Sequence, residues 1–153
     1  MPLPPQTFRA GACAVIVGDD GRVMAFERNQ TPVGSWQLPQ GGLEPGESPR
    51  EALFREILEE SGIGRELLTL VTEEPRLLAY ELPEGFRKRI FGRGQTLYCF
   101  VLRFSGSEDA VTLGDCEEFR AWRWIEMAQL AEEVVFFRRP LYREIDRWLR
   151  ELA

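Results

Sequence analysis

The chain has no histidine among its 153 residues. That absence excludes catalysis by an imidazole acid or base, nucleophile triads that contain histidine, and zinc sites with histidine ligands. A metal site in this chain is therefore best built from oxygen ligands, which favours Mg²⁺, Mn²⁺ or Ca²⁺.

Cysteine is scarce, and long apolar runs are missing. The three cysteines are odd in number and lack Cys-x-x-Cys spacing, so they indicate reduced thiols rather than a disulfide framework. Cys13 and Cys99 lie in apolar runs and are predicted to be in the core. No run is long enough to span a bilayer, and residues 1–11 lack the basic and apolar regions of a signal peptide. We therefore expect a cytoplasmic protein without a membrane partner.

The charge balance is mildly acidic, with 19 basic and 25 acidic side chains and a net charge of −6. This disfavours a grip on long polyanions such as DNA, whereas a local cluster of arginines and metal ions can still hold a short anionic ligand. Length and composition predict one domain over residues 1–153, with residues 1–7 as a flexible lead-in. The sequence leaves open whether the protein is a monomer or a homodimer.

Hydrophobic periodicity and turn residues predict a mixture of strands and helices. Two apolar runs that flank Asp19-Asp20-Gly21 predict a β-hairpin. Further strands are predicted at residues 36–38, 67–71, 77–82, 95–104 and 118–125, helices at 127–133 and 140–152, and loops at 30–35 and 83–94. The last helix is amphipathic, with a predicted inward face of Leu141, Ile145, Trp148 and Leu149. This order implies an α/β fold with a mixed sheet and helices on both faces.

A further helix, from residue 49 to about residue 61, has the clearest signals in the chain. A type II turn is predicted at residues 44–47. Ser48 is a good N-cap, Pro49 suits the first helical position, Glu51 completes a capping box, and Gly62 suits the C-cap. The predicted sheet-facing side consists of Phe54, Ile57 and Leu58, with Leu53 at its edge.

Three glutamates, Glu56, Glu59 and Glu60, occupy a separate arc of this helix. A solvated helix face is the ordinary interpretation of such residues. Like charges three and four residues apart destabilise a helix, however, and Arg55 can orient a carboxylate without neutralising three. A bound Mg²⁺ would remove the repulsion.

The pattern around these glutamates resembles the Nudix box at every position. It runs from Gly41 over five residues to Glu47 and over seven more to residues 55–63, which read REILEESGI. The Nudix family hydrolyses a nucleoside diphosphate linked to another group, X. The resemblance implies an α/β/α sandwich and Mg²⁺-assisted attack of water on a pyrophosphate link, with Mn²⁺ as a substitute.

The resemblance also implies residue roles. One arginine and three glutamates are expected to be catalytic, and the glutamates are expected to bind metal together with a backbone carbonyl: Arg55, Glu56, Glu59, Glu60 and Gly41. Arg55 is expected to orient the carboxylates, and Glu47 to anchor the loop by pairing with Arg55. The general base stays open among Glu56, Glu60 and Glu118, as does the number of metal ions.

Residues 36–42, WQLPQGG, resemble the WQxPQGG of a branch that contains bacterial RNA pyrophosphohydrolases and dinucleoside polyphosphate hydrolases. The resemblance extends to Phe8-Arg9, Gly94-Gln95, Glu118-Phe119 and residues 134–139. It implies a fourth metal-binding carboxylate, Glu118, and substrate contacts from Arg9, Arg28, Gln95, Phe137 and Arg138. The ordinary alternatives are an exposed glutamate at a strand start, solvated arginines and a core phenylalanine. The chain departs from the branch pattern GQxQxW at Leu97 and Cys99.

Three functions stay open at this point. The first is a hydrolase of nucleotide polyphosphates, with 5′-triphosphate RNA ends or dinucleoside polyphosphates such as diadenosine tetraphosphate as substrates. The second, motivated by Leu97, is a housekeeping hydrolase of dNTPs, nucleotide sugars or ADP-ribose. The third is a nucleotide-binding module without turnover. A complete carboxylate set favours the two enzymes.

Overall fold

The computed structural model describes residues 6–29, 35–87, 92–114 and 117–153. Four sequence predictions concern residues outside these ranges. They are most of the lead-in at 1–7, most of the loop at 30–35, the centre of the basic loop at 83–94, and the thiol of Cys116. Among the described residues, no helix combines the length and apolar composition that a bilayer crossing requires.

Within the described ranges the chain forms eight strands and three α-helices. The strands are β1 (Phe8–Val17), β2 (Val23–Arg28), β3 (Trp36–Gln37), β4 (Gln40–Gly42), β5 (Leu68–Leu70), β6 (Arg76–Glu81), β7 (Gly94–Phe104) and β8 (Phe119–Ile125). The helices are α1 (Pro49–Ser61), α2 (Met127–Glu133) and α3 (Arg139–Leu152). Short 3₁₀ turns lie at Arg65–Leu67, Glu84–Phe86, Glu108–Ala110 and Phe136–Arg138.

The strands form one mixed sheet around β1, which pairs in parallel with β7 along its whole length. β5 and β6 pair with β7, and β8 pairs with β2, all in antiparallel fashion. The predicted hairpin is present, but β1 and β2 pair at Val17 and Val23, beside the turn. Farther from the turn β3 pairs with β2 and β4 pairs with β1. The two short strands therefore line the inside of a fork between β1 and β2.

Alternate residues of the central strands enter two apolar layers, as a pleated strand requires. One layer lies under α2 and α3 and contains Cys13, Cys99 and Trp148. The other lies under α1 and contains Ile57 and Phe100. The predicted α/β/α sandwich with a mixed sheet is confirmed, and both cysteines are fully buried as predicted.

Helix α1 has the predicted ends. The Ser48 hydroxyl accepts a hydrogen bond from the Glu51 amide, and the Ser48 amide donates to the Glu51 carboxylate. Gly62 adopts a left-handed conformation with φ of 79° and donates to the Leu58 carbonyl. These interactions satisfy backbone groups that a helix end leaves without partners.

The predicted sheet-facing side of α1 is wrong at Leu58, whose side chain is 54% exposed. The buried residues are Ala52, Leu53, Ile57, Glu60 and Ser61. The buried stripe follows Leu53, Ile57 and Ser61 at four-residue spacing, and Leu58 lies about 100° round the axis from Ile57. The prediction placed the buried side of the helix by its large apolar residues. The small residues Ala52 and Ser61 are buried instead, so the observed buried side is rotated from the predicted one.

Two further features were not predicted from the sequence. Residues 40–42 form β4, because the open edge of β1 provides hydrogen-bond partners for them. The predicted inward face of α3 packs on the core, with Leu149 partly buried, and Tyr142 of the same helix is fully buried as well. The Tyr142 hydroxyl accepts a hydrogen bond of 2.8 Å from the Leu38 amide, which gives its polar atom a partner in the core.

Candidate active site

The fork between β1 and β2 brings the glycines of β4 against α1. A Cβ atom on Gly41 would overlap the carboxylate of Glu56. On the other side, a Cβ atom on Gly11 would lie 2.8 Å from the Gly41 carbonyl oxygen. Glycine at both positions therefore allows β1 and β4 to approach each other closely, and allows the Glu56 carboxylate to lie against β4.

Arg55 connects the loop, β4 and the helix. It donates to both carboxylate oxygens of Glu47, at 2.7 and 2.8 Å, and to the Gly42 carbonyl at 3.0 Å. It also donates to Glu56 at 2.8 Å and to Glu59 at 3.4 Å. The pairing of Glu47 with Arg55 that the sequence predicted is present. One guanidinium thus orients two of the three helix carboxylates.

Hydrogen bonds from Arg55 and from the Glu44 amide lower the pKa of Glu47 to about 2. The pairing with Glu47 correspondingly raises the pKa of Arg55. Both groups are ionised at neutral pH, so Glu47 and Arg55 form an ion pair under ordinary conditions.

The three helix glutamates lie in different environments. The Glu59 side chain is 51% exposed, that of Glu56 is 15% exposed, and Glu60 is buried with 1% of its surface accessible. A fully buried glutamate is rare in proteins. The interpretation of this arc as a solvated helix face is therefore wrong for Glu60.

Glu118 precedes β8 and lies in the electrostatic field of the box carboxylates. Its pKa is above the ordinary value chiefly because burial disfavours the charged form, while Arg28 opposes this shift. The charges of Glu56 and Glu59 raise the pKa further. The nearest oxygen of Glu118 is 3.6 Å from Nη1 of Arg28. Glu118 is thus half-buried and close enough to the box to interact with it.

The loop before Glu118 is fastened to the end of α1. The amides of Thr112 and Leu113 both donate to the Ser61 carbonyl, at 2.9 and 3.1 Å. Leu113 and Glu117 have φ values of 65° and 53°, which residues other than glycine rarely adopt. Such strain persists where surrounding contacts hold it in place.

A series of polar side chains, connected by hydrogen bonds, extends from Glu118 across the α3 side of the sheet. The Gln37 side chain is buried, and its carbonyl oxygen accepts from Arg28 at 3.4 Å and from Arg138 at 3.1 Å. Arg138 also donates to the Tyr80 hydroxyl at 3.2 Å.

Beyond Tyr80 this series of side chains continues to Gln95 in β7. The side-chain oxygen of Gln95 accepts from Gln40 at 2.9 Å and from the Tyr80 hydroxyl. The connected residues are, in order, Glu118, Arg28, Gln37, Arg138, Tyr80, Gln95 and Gln40, and we call them the polar track. Sequence reasoning missed Gln37, Gln40 and Tyr80 as site residues. The two glutamines lie in the WQLPQGG motif, which was an available signal, whereas nothing in the sequence distinguished Tyr80.

The other two expected substrate contacts, Arg9 and Phe137, lie beside this region. The Arg9 guanidinium packs on Gly42, where an added Cβ atom would lie 2.5 Å from Nη2. Phe137 is half-buried, and its ring touches three protein rings. The centroid distances are 5.9 Å to Tyr80, 5.2 Å to Phe86 and 5.5 Å to Phe136. Arg9 therefore borders the box, while much of the Phe137 ring is already in contact with protein.

Leu97 replaces a glutamine of the branch pattern and is 1% exposed. One of its methyl groups would lie 3.0 Å from a Cβ atom on Gly11, so the side chain fills the core under β4. Cys99 is buried beside it in the same layer. The two departures thus alter the packing beneath the site and present no surface to a ligand.

The donors at the box are those of a hard divalent cation. In the part of the chain that the structure describes, no three carboxylates or thiols converge as a ready-made metal site. The carboxylates of Glu56 and Glu59, which Arg55 holds, nevertheless have the chemistry that Mg²⁺ prefers. The close approach of Glu56 to Gly41, which only glycine permits, fits this chemistry.

Comparison with known proteins agrees with this geometry. The profile of the NUDIX domain matches residues 7–145. An RNA pyrophosphohydrolase of Cereibacter sphaeroides is 39% identical over 149 residues, which cover 94% of this chain and 92% of the relative. An RNA pyrophosphohydrolase of Erythrobacter litoralis is 33% identical over 151 residues, which cover 95% and 92%.

Solved structures with the same fold include a C. elegans Ap4A hydrolase, with a TM-score of 0.69, 23% identity and coverage of 92% of this chain and 98% of that one. An E. coli dihydroneopterin triphosphate pyrophosphohydrolase has a TM-score of 0.70, 23% identity and coverage of 90% and 96%. Hydrolases of this family generally use divalent metal ions such as Mg²⁺. The chain belongs to the NUDIX family and is a hydrolase that acts on pyrophosphate bonds.

Proposed function

We propose that this chain is an Mg²⁺-dependent pyrophosphohydrolase of 5′-triphosphate RNA ends or dinucleoside polyphosphates, acting as a single cytoplasmic domain. The observation that carries the proposal is the polar track, which holds the guanidinium groups of Arg28 and Arg138 on one buried glutamine, Gln37. Planar guanidinium groups suit phosphate recognition. Relatives 33–39% identical over nearly the whole chain bear the name RNA pyrophosphohydrolase, which supports the choice of substrate.

In this proposal five groups hold the metal: the Gly41 carbonyl and the carboxylates of Glu56, Glu59, Glu60 and Glu118. When bound, divalent cations lower the pKa of water and neutralise phosphate oxygens. Mn²⁺ can replace Mg²⁺ with such donors. Arg55 keeps Glu56 and Glu59 oriented, and one of Glu56, Glu60 and Glu118 accepts the proton from the attacking water.

The substrate lies along the polar track. Arg28 and Arg138 bind its phosphates, and Arg9, the register partner of Gln95, binds a phosphate beside Gly42. Gln95 completes the wall at β7. Each arginine adds a positive charge that a short polyphosphate can use, although the chain as a whole is acidic.

The test is a substrate panel in heavy-oxygen water, with products identified by mass. The panel contains 5′-triphosphate RNA, diadenosine tetraphosphate, dNTPs, a nucleotide sugar and ADP-ribose. We expect the first two to be cleaved with the highest kcat/KM, and Glu60→Gln to reduce their cleavage by at least about a hundred-fold. Glu132→Gln, a change at an exposed glutamate of α2, is the matched control.

Three outcomes would contradict the proposal. A preference for one of the small nucleotides would establish the housekeeping alternative. Tight nucleotide binding without product under any divalent metal would establish the binding module. Equal rates for the wild type and Glu60→Gln would overturn the roles assigned to the box.

A further inference from the structure

Two half-exposed aromatic rings flank Phe137. Phe86 is 50% exposed and Phe136 is 56% exposed, and the centroids of their rings lie 5.2 and 5.5 Å from that of Phe137. Tyr80 stacks on Phe137 with an interplanar angle of 20°. Phe137 therefore packs between the rings of Tyr80, Phe86 and Phe136. The aromatic surface that remains accessible belongs largely to Phe86 and Phe136.

Both rings stand on braced turns. The Phe86 amide donates to the Pro83 carbonyl at 2.8 Å, and the next residue, Arg87, donates through Nε to the Leu82 carbonyl at 2.6 Å. The turn that carries Phe136 is closed by a 2.9 Å hydrogen bond between the amide of Arg138 and the carbonyl of Val135. Because these turns are ordered and both rings pack on Phe137, the rings lose little entropy when a flat ligand stacks on them.

The rings continue the polar track. The Arg138 guanidinium carbon lies 5.8 Å from the centroid of the Phe137 ring, and its Nη1 donates to Gln37. Gln37 accepts from Arg28, which lies beside Glu118. A path thus leads from the carboxylates past two guanidinium groups to exposed rings. A ligand that matches this order has anionic groups beside the guanidinium groups and a flat aromatic group beside the rings. A nucleotide has both, since its phosphates are anionic and its base is flat and aromatic.

We infer that Phe86 and Phe136 form a stacking shelf for a nucleobase of the substrate, whose phosphates lie along Arg28 and Arg138. The inference rests on the proposed function and extends it, since Phe137 is then the support of the shelf and not its surface. Two rings offer far less area than the roughly 800 Å² per partner of a stable protein interface. A nucleobase, by contrast, needs only one exposed ring face and adjacent positive charge.

The test is binding without turnover, in a Glu60→Gln background with Mg²⁺. The probes are 5′-triphosphate dinucleotides that carry 2-aminopurine at the first or the second position, and the same molecules with an abasic site there. We expect quenching of 2-aminopurine at one position. We expect the added changes Phe86→Leu and Phe136→Leu to weaken binding of that probe about ten-fold. Binding of the matching abasic probe is expected to change less than about two-fold.

Leucine keeps the surface apolar and removes only the aromatic ring, and Leu77→Ala is the matched control. Leu77 is 54% exposed and lies on the opposite face of β6 from Tyr80. Thermal unfolding checks that each variant is folded. Equal losses for base-bearing and abasic probes would overturn the shelf, as would no loss. A wild-type dimer that dissociates in the double leucine variant would also overturn it, because a second copy would then be the occupant.

The shelf and the proposed function fail separately. If the wild type cleaves triphosphate RNA and the leucine changes leave both probes equally bound, the shelf fails while the function stands. If the wild type cleaves none of the proposed substrates and the probe is still quenched, the function fails while the shelf stands.

Discussion

Arg55 grips Glu47 with two hydrogen bonds of 2.7 and 2.8 Å, and the same guanidinium reaches Glu56 at 2.8 Å. This one contact sets the conformation of the loop and the direction of a carboxylate on the helix. The box therefore depends on a planar group with several donors, which a lysine cannot supply.

Replacement of Arg55 by lysine is expected to keep the charge and lose the orientation of Glu56. Because a small displacement of a reacting group is costly, kcat should fall about a hundred-fold. The control is Arg22→Lys, a change in the exposed ion pair with Asp20. Steady-state kinetics of both variants measure this effect. A kcat equal to the wild-type value in Arg55→Lys would show that a positive charge at this position is enough for activity.

Gly41→Ala is expected to displace the Glu56 carboxylate, since the new Cβ atom would occupy its place. We expect kcat to fall about a hundred-fold or more, with a higher concentration of Mg²⁺ needed for half-maximal rate. Gly85→Ala is a matched change, because no atom lies within 4 Å of its added Cβ position. Unaltered Mg²⁺ dependence in Gly41→Ala would contradict the role of this close approach.

Acid should weaken the fold through Glu47. Its pKa is lowered from an ordinary 4.5 to about 2, so between these values the unfolded state binds the additional proton. The unfolding free energy therefore rises with pH in that window, and the stabilisation is present in full above about pH 4.5. Urea denaturation of the wild type and Glu47→Gln should differ at pH 7 and converge as the pH falls toward 2. A difference independent of pH would refute this contribution.

Tyr142→Phe is expected to destabilise the protein by about 1–3 kcal/mol, because the buried Leu38 amide loses its hydrogen-bond acceptor. Leu38 follows Gln37, so the variant should also raise KM more than it lowers kcat. Tyr98→Phe, at a half-buried tyrosine of β7, is the control. Urea denaturation and steady-state kinetics measure the two effects, and a stability equal to that of the wild type would exclude the hydrogen bond as a significant contact.

Much of helix α1 could be predicted because its signals are local. Ser48, Pro49, Glu51 and Gly62 act within a few residues of their own positions, so their chemistry is visible in the sequence. Exposure of Leu58 and burial of Glu60 could not be predicted in the same way. Both depend on how the helix is rotated against a sheet that distant segments build.

The polar track shows the same division. The hydrogen bond between Gln37 and Arg138 joins residues 101 positions apart, and that between Leu38 and Tyr142 joins residues 104 apart. Tyr80 has no motif to distinguish it, and its role follows only from its place between Arg138 and Gln95. Pairing across such separations depends on the sheet order and not on local propensity.

The sequence by itself indicated the reaction class, because the spacing of Gly41, Arg55 and the glutamates resembles the Nudix box, while the absence of histidine favours oxygen ligands for a metal. It also determined the caps of α1 and the core position of Cys13 and Cys99. Only the tertiary structure decided which groups form the polar track, because β3 and β4 line the fork of β1 and β2 and bring Gln37 to Arg138. The same packing half-buries the ring of Phe137 and leaves those of Phe86 and Phe136 more exposed, since exposure depends on neighbours in space.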